Sequence, residues 1–264
     1  MPLTTRIPNP RTPEPPSPRK RGALWWDFDG TLVSRPMMWS EVAMRRLDRY
    51  WPGHTVTREV MDAQVSLGMP WHRADHAHPE LSSPALWWEA VYRRYVEIFD
   101  ALGVPAAADP AAFAELRSDI LNPARYRVFD DVVPALSRAA ANGWRNLIVS
   151  NHVPELESLV DDLGLRSFFE SIVGSAVVGY EKPHRLLFEE ALRRTGASRP
   201  IWMIGDNASA DCAPVCAMGN NAVLVRSTAI GTFEQRADDL LGALDLIEGV
   251  VPRSDGLGPN VSIT

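Results

Sequence analysis

Five short apolar runs, each closing on a turn or a polar residue, constrain this chain more than any other feature. Residues 23–26 are wholly apolar and end at Asp27; a run from Arg145 ends at Ser150; the others span 172–178, 201–204 ending at Gly205, and 222–225. Runs of this length without polar alternation suit strands covered on both faces, as in a parallel sheet. Helical spacing fills the intervals. Val132, Val133, Leu136, Ala139 and Ala140 precede Asn142-Gly143, and Leu156, Leu159, Val160 and Leu163 precede Gly164. Leu187, Phe188, Ala191 and Leu192 precede Thr195-Gly196, and Leu240, Leu241, Leu244 and Ile247 precede Gly249. Glycine is the usual stop for such helices. The alternation predicts an α/β fold: a doubly wound, Rossmann-like parallel sheet core with right-handed crossovers.

One interval breaks the rhythm. Residues 33–125 carry only helical patterns, whereas a parallel crossover needs about a dozen residues. Trp39, Val42, Ala43, Leu47 and Tyr50 share one helical face, and Ser83-Pro84 opens a helix with Trp88, Val91, Tyr95, Phe99 and Leu102, stopped by Gly103. Asp109-Pro110 opens another, with Phe113, Leu116 and Ile120 on one face. Residues 33–125 therefore read as an inserted helical domain, leaving 23–32 and 126–249 as the α/β core. Residues 1–22 are rich in proline and poor in large apolar groups, so a disordered arm is expected there, and a flexible tail over 250–264.

Composition excludes some roles. A net charge of −6 leaves no basic footprint for nucleic acid. No apolar run approaches the roughly 18 to 20 residues that span a bilayer, and the first stretch lacks a secretory apolar segment, so a cytoplasmic protein is expected. Cys212 and Cys216, four apart, match no common zinc pattern and read as small buried apolar residues. Of 27 basic residues only Lys20 and Lys182 are lysine. Arginine is the default here, so position 182 calls for a compact ammonium rather than a planar guanidinium.

In an open parallel sheet, ligands bind beyond the carboxyl ends of the strands. Those ends deliver Asp27-Phe28-Asp29-Gly30-Thr31, then Ser150-Asn151, then Glu181-Lys182-Pro183, then Gly205-Asp206-Asn207 with Asp211 a turn later. Each alone is ordinary turn chemistry; together they suit phosphoryl transfer. Magnesium prefers oxygen ligands and is often held by few carboxylates, a role open to Asp27 and Asp206. A carboxylate can also attack phosphorus. Two carboxylates two residues apart let one attack while the other moves protons. Ser150 can donate to a phosphoryl oxygen, Lys182 can neutralise charge, and Gly30 lets the chain turn away from the strand.

Taken in order, these four motifs resemble those of the haloacid dehalogenase-like hydrolases, over about residues 23–249. The resemblance implies that Asp27 is the nucleophile and a magnesium ligand, and that Asp29 is the general acid/base with its backbone carbonyl on the metal. It implies Ser150, Asn151 and Thr31 at the phosphate, Thr31 also orienting Asp29. Lys182 corresponds to the stabilising lysine, Asp206 to the acidic metal ligand, and Asp211 to a second acid that binds metal through water or holds Lys182. Asn207 stands where serine is frequent, in a supporting place, and His184 replaces a frequent aspartate and is given no role. The insertion is similar to the family's C1-type cap.

The residues also sort the branches. Dehalogenases of the family lack the second aspartate and use no metal, whereas Asp29 is present. Phosphonatase-like members need a cap lysine, and none lies between Lys20 and Lys182. The resulting expectation is a Mg2+-dependent phosphomonoesterase, monomer or homodimer, acting on a small phosphorylated metabolite through an aspartyl-phosphate. A phosphomutase and a catalytically silent binding protein are the alternatives. Within the insertion, Trp71, His72 and Arg73 are placed near the entrance against the substrate's leaving group. His72, His76 and His78 are read as a polar loop rather than a second metal site, and Trp87 and Trp88 as core.

Overall fold

A computed structural model describes residues 21–250, apart from 36–37, 105–112, 114, 197 and 228–232. Residues 1–20 of the expected arm, most of the tail and the Asp109-Pro110 helix start lie outside the described residues, and Gly22, expected in the arm, instead opens the first strand.

Eight strands are described: β1 (Gly22–Trp26), β2 (Val33–Ser34), β3 (Arg127–Val128), β4 (Trp144–Ser150), β5 (Ser171–Gly174), β6 (Ile201–Gly205), β7 (Asn221–Val225) and β8 (Arg236–Ala237). Six of them form a parallel sheet in the order β5-β4-β1-β6-β7-β8. The chain steps outward from β1 to β4 and β5, returns across β1 to β6, and steps outward again. The winding reverses beside β1, and that reversal opens the crevice in which such sheets bind ligands.

Every residue of β1 is buried, which explains its unbroken apolar character. Alternate side chains leave on opposite faces: Ala23 and Trp25 join one apolar cluster, Leu24 and Trp26 the other. Both indole N–H groups are satisfied, Trp25 Nε1 donating to Thr195 Oγ1 at 2.8 Å and Trp26 Nε1 to Asn146 Oδ1 at 3.1 Å. The two rings therefore contribute their apolar area without an unpaired donor.

β2 and β3 pair antiparallel, Val33 opposite Val128, and form the base of the insertion. Among the described residues its α-helices are α1 (Met38–Tyr50), α2 (Arg58–Val65), α3 (Pro84–Ala101) and α4 (Leu116–Ile120). The start of α3 follows the sequence signal: Ser83 Oγ accepts from Leu86 N, with Pro84 in the first helical turn. That helix buries Trp87, Trp88, Val91, Tyr95, Ile98 and Phe99, and Tyr95 Oη donates to Trp39 O at 2.8 Å, tying α3 to α1. These residues share one apolar cluster with Leu24 and Trp26, so the insertion is packed onto the sheet.

The remaining helices are α5 (Val132–Ala141), α6 (Leu156–Asp162), α7 (Ser175–Val178), α8 (Arg185–Thr195), α9 (Ala213–Ala217) and α10 (Leu240–Val250). α5, α6 and α10 pack on the Trp26 face; α8 and α9 pack on the Trp25 face. The core is thus doubly wound and Rossmann-like.

Three local expectations change. The run 172–178 is not one strand: β5 ends at Gly174, which pairs with Ser150, the last residue of β4. Beyond that point no neighbouring strand offers a ladder, and the chain turns into α7, capped by Gly179 at φ 85°. Gly249 lies within α10 rather than after it. Cys212 is buried as expected, but Cys216 is exposed. The π-helical turn Ala208–Cys212 inserts an extra residue before α9, and α9 buries Val215, which rotates position 216 outward. Among the described residues no helix is long and apolar enough to cross a membrane.

Candidate active site

Strand order assembles the site. β1 lies between β4 and β6, so Asp27, Ser150 and Asp206 emerge side by side at one sheet edge. Asp27 N donates to Ile204 O at 2.9 Å, so the strand pairing extends to the residue that carries the carboxylate. The chain then turns sharply. Phe28 O accepts from Leu32 N and Val33 N, and Gly30 sits at φ 79°. A Cβ at Gly30 would lie 2.3 Å from Asp206 Oδ2, so both the backbone angle and the space require glycine.

Lys182 is the hub. Its Nζ lies 2.6 Å from Asp27 Oδ1, 2.6 Å from Asp211 Oδ1 and 3.2 Å from Val149 O, which uses all three ammonium donors. Burial alone would lower its pKa, but the Asp211 and Asp27 carboxylates outweigh it and hold the ammonium above the ordinary lysine value. Three acceptors converging on one point suit an ammonium and not a planar fork, which is the physical reason lysine appears here in an arginine-rich chain. Lys182→Met would leave two buried carboxylates facing each other. A loss of roughly 3–5 kcal/mol in chelator-treated protein is expected, read as a drop in the urea midpoint, and Lys182→Arg should not restore it.

The neighbours hold this hub in place. Asn151 Oδ1 accepts from Lys182 N at 2.6 Å while Asn151 Nδ2 donates to Lys182 O at 3.1 Å. The amide expected at the phosphate is thus engaged with the lysine's backbone. Asp211 is fully buried and accepts from Asn207 N at 3.0 Å, and a Cβ at Gly205 would lie 2.2 Å from its Oδ2. Asn207 Oδ1 caps the following turn, accepting from Ser209 N at 3.1 Å and Ala210 N at 3.0 Å. Ser150 is buried at the end of β4. Thr31 is buried too, but its Oγ1 has no partner among the described residues. The expected link from Thr31 to Asp29 is therefore not formed, because the tight turn after Phe28 packs Thr31 inward.

The two aspartates of the first motif differ in surroundings. Asp27 is paired with an ammonium. Asp29 has none in contact and its side chain is 41% exposed; partial desolvation and the Asp27 charge raise its pKa to about 7. Burial and Asp27 likewise raise Asp206 to about 6. Oxygens of Asp27, Asp206 and Asp211 lie within 4.8 Å of one another. Such crowding of hard oxygen donors, with Asp206 and Asp211 both raised chiefly by burial, fits a site for a hard divalent cation.

Two adjoining cavities open beside Asp29. Trp39, Trp71, Asn151, His152 and Glu181 help to line one; Arg35, Trp39, Asp62, Trp71 and His72 help to line the other. Trp71 and His72 thus stand at the cleft, whereas Arg73 is exposed and lines neither cavity. Trp87 is 1% exposed yet also lines the first cavity, so it is core and wall at once. The three histidines part company. His76 is exposed beside Asp75, His72 Nδ1 accepts from Met69 N at 3.3 Å, and His78 is buried with Nε2 3.0 Å from Glu181 Oε1. The hydrogen bond to Glu181 holds the His78 pKa above the usual histidine value.

Sequence reasoning missed His152 and Arg35, and placed Glu181 at a strand end without giving it a role. His152 is 7% exposed, with Nε2 3.6 Å from Asp29 Oδ2 and its ring edge-on to Phe28, and burial lowers its pKa to about 4. His152 and Glu181 directly follow and precede two motifs, which is the signal that could have drawn attention to them.

A family model described as haloacid dehalogenase-like hydrolase matches residues 22–214. The chain belongs to the haloacid dehalogenase-like hydrolases. The human haloacid dehalogenase-like hydrolase domain-containing protein 3 is 31% identical over 179 residues, covering 63% of this chain and 70% of that protein. The hydrolase is also 35% identical over 105 residues to the glyceraldehyde 3-phosphate phosphatase of Methanothermobacter thermautotrophicus, covering 38% of this chain and 46% of that one. Its fold matches the HAD-hydrolase YfnB of Bacillus subtilis, solved bound to magnesium, with a TM-score of 0.64 at 18% identity, covering 87% of this chain and 100% of that one.

Proposed function

We propose that this hydrolase is a magnesium-dependent phosphomonoesterase that acts on a small phosphorylated metabolite through an aspartyl-phosphate on Asp27. The observation that carries the reading is the division between the first two aspartates. Asp27 is ion-paired with Lys182 at 2.6 Å, while Asp29 has no ammonium in contact and is raised to about 7, and so is available as an acid near neutrality. Two carboxylates in such different surroundings suit a nucleophile and a proton donor. The relative named as a phosphatase supports the same direction, as does the presence of Asp29 itself.

The side chains of Asp27 and Asp206 and the backbone carbonyl of Asp29 would hold the magnesium, with Asp211 behind them. Bound there, the ion neutralises and orients the phosphoryl group. An Asp27 oxygen attacks phosphorus, and the bond from phosphorus to the leaving oxygen breaks as Asp29 gives that oxygen its proton. Asp29, now a carboxylate, takes a proton from a water that attacks the aspartyl-phosphate. Inorganic phosphate leaves, Asp27 is regenerated, and Asp29 is again protonated. Lys182 offsets the charge gathered between the attacking carboxylate and the phosphoryl oxygens, Ser150 donates to one of those oxygens, and Asn151 keeps Lys182 in register. The helical insertion acts as the cap, with Trp71 and His72 at the entrance.

The test is phosphate release from a panel of phosphorylated metabolites. Release is expected with magnesium, is expected to vanish with chelator, and is expected to return when magnesium is restored. Release that persists in chelator would contradict the metal requirement, and no release from any compound would favour a mutase or a binding role.

A further inference from the structure

The first cavity beside Asp29 has a volume of about 60 Å³. Its walls come from both halves of the fold: Trp39, Trp71 and Trp87 from the insertion, and Asn151, His152 and Glu181 from the loops of the sheet. Among the described residues no lysine or arginine lines it. Arg35 lines the adjoining cavity, where backbone oxygens of Ile120 and Asp119 already take its two terminal nitrogens.

Three residues in these walls carry buried polar atoms with no hydrogen-bond partner among the described residues: Trp87 Nε1, both ring nitrogens of His152, and Glu181 Oε2. Buried polar groups are nearly always paired. These three residues all line one cavity, whereas Trp144 and Trp202, whose Nε1 atoms are also orphaned, do not line it. Glu181 is 1% exposed and cannot swing away, because its Oε1 is held by His78 Nε2 at 3.0 Å. His78 is itself fastened to the sheet loops, its N donating to Gly179 O at 2.8 Å. The aromatic side is equally fixed. The Trp39 and Trp71 rings lie 4.4 Å apart, and Trp71 stacks on Trp87 at 5.6 Å, too close to admit a guest between them.

We propose that this cavity takes the leaving group as an uncharged, polyhydroxylated unit of a few carbons, and that Glu181 is the residue that excludes carboxylate-bearing phosphate monoesters. This rests on the phosphomonoesterase reading above. The cavity wall offers an indole donor, an imidazole and a carboxylate acceptor. A hydroxyl both donates and accepts, so a polyol satisfies the donor and the acceptor together, with its carbon-bound hydrogens against the tryptophan rings. A carboxylate brings only acceptors, and sets a negative charge against Glu181 in a water-poor space. An ammonium brings only donors and leaves the Trp87 N–H unmatched. The selectivity comes from a built-in repulsion as much as from attraction.

The experiment compares kcat/KM of the full chain with magnesium for glycerol 3-phosphate, 3-phosphoglycerate, phosphoglycolate, phosphoethanolamine and p-nitrophenyl phosphate. Wild type should prefer glycerol 3-phosphate over 3-phosphoglycerate, which differ chiefly in the oxidation of one carbon, by roughly a hundred-fold. Glu181→Gln keeps the shape and an acceptor for His78 but removes the charge, and should shrink that ratio at least about ten-fold. The wild-type pair decides the matter even if the variant fails to fold. Preference for an acid or amine monoester, or an unchanged ratio in a folded variant, would overturn the assignment while leaving the phosphatase reading intact. No hydrolysis of any compound, p-nitrophenyl phosphate included, would overturn both.

Discussion

Asp27→Asn is expected to abolish phosphate release, by roughly 10⁵-fold or more, the scale on which removing a nucleophile silences an enzyme. An amide oxygen is too poor a nucleophile to displace the leaving group. The substitution is nearly isosteric, and Lys182 keeps its 2.6 Å contact with Asp211 and its 3.2 Å contact with Val149 O, so the fold should persist. The variant should also bind no phosphate covalently, which acid quenching of wild type and variant with labelled substrate would show. A second consequence follows from charge. Asp27 helps to raise Asp29 and Asp206, so in metal-free Asp27→Asn both should titrate lower, measurable by carboxyl carbon NMR. Turnover within ten-fold of wild type would remove Asp27 from the mechanism.

Asp29→Asn is expected to cost roughly 10² to 10⁴-fold in turnover, the usual worth of a positioned general acid, with KM little changed. The loss should depend on the leaving group. p-Nitrophenolate departs with little help from a proton, so its release should suffer far less in the first step than that of an alkyl alcohol. Asp29 must enter that step protonated, so the wild-type rate with an alkyl monoester should fall as pH rises through the Asp29 pKa. Metal-free stability provides a check that does not involve turnover. The Asp29 pKa rises on folding from 3.8 to about 7. Its contribution is therefore fully present below the unfolded value and is lost as pH rises through the folded one. Wild type should lose thermal stability relative to Asp29→Asn between pH 4 and pH 7, and a parallel dependence in the two proteins would contradict the assigned environment. His152, whose pKa is lowered to about 4, acts in the opposite sense and lies 3.6 Å from Asp29, so the two proteins should be compared in a His152→Gln background.

The core motifs were legible because they depend on local rules. A strand end in a parallel sheet is where carboxylates meet ligands, and the runs ending at Asp27, Ser150 and Gly205 marked three such ends. The rarity of lysine singled out Lys182, and the structure gives the reason as three acceptors around one ammonium. Ser83-Pro84 opened α3 because capping is decided within one turn. Local rules failed where neighbours intervened: β5 stops at Gly174 because its partner strand stops at Ser150.

What the sequence by itself determined is the sheet, the helical insertion and the chemistry-bearing residues at the strand ends, since each is written in periodicity or adjacent residues. Only the tertiary structure decided which residues shape the space beside them. His78 meets Glu181 across 103 positions, and Trp88 meets Glu155 across 67. Trp39, Trp71 and Trp87 form one wall from three separate segments. A buried polar pair or an aromatic stack between distant segments leaves no periodic trace in the chain, because its partners are chosen by packing in space and not by spacing along the backbone.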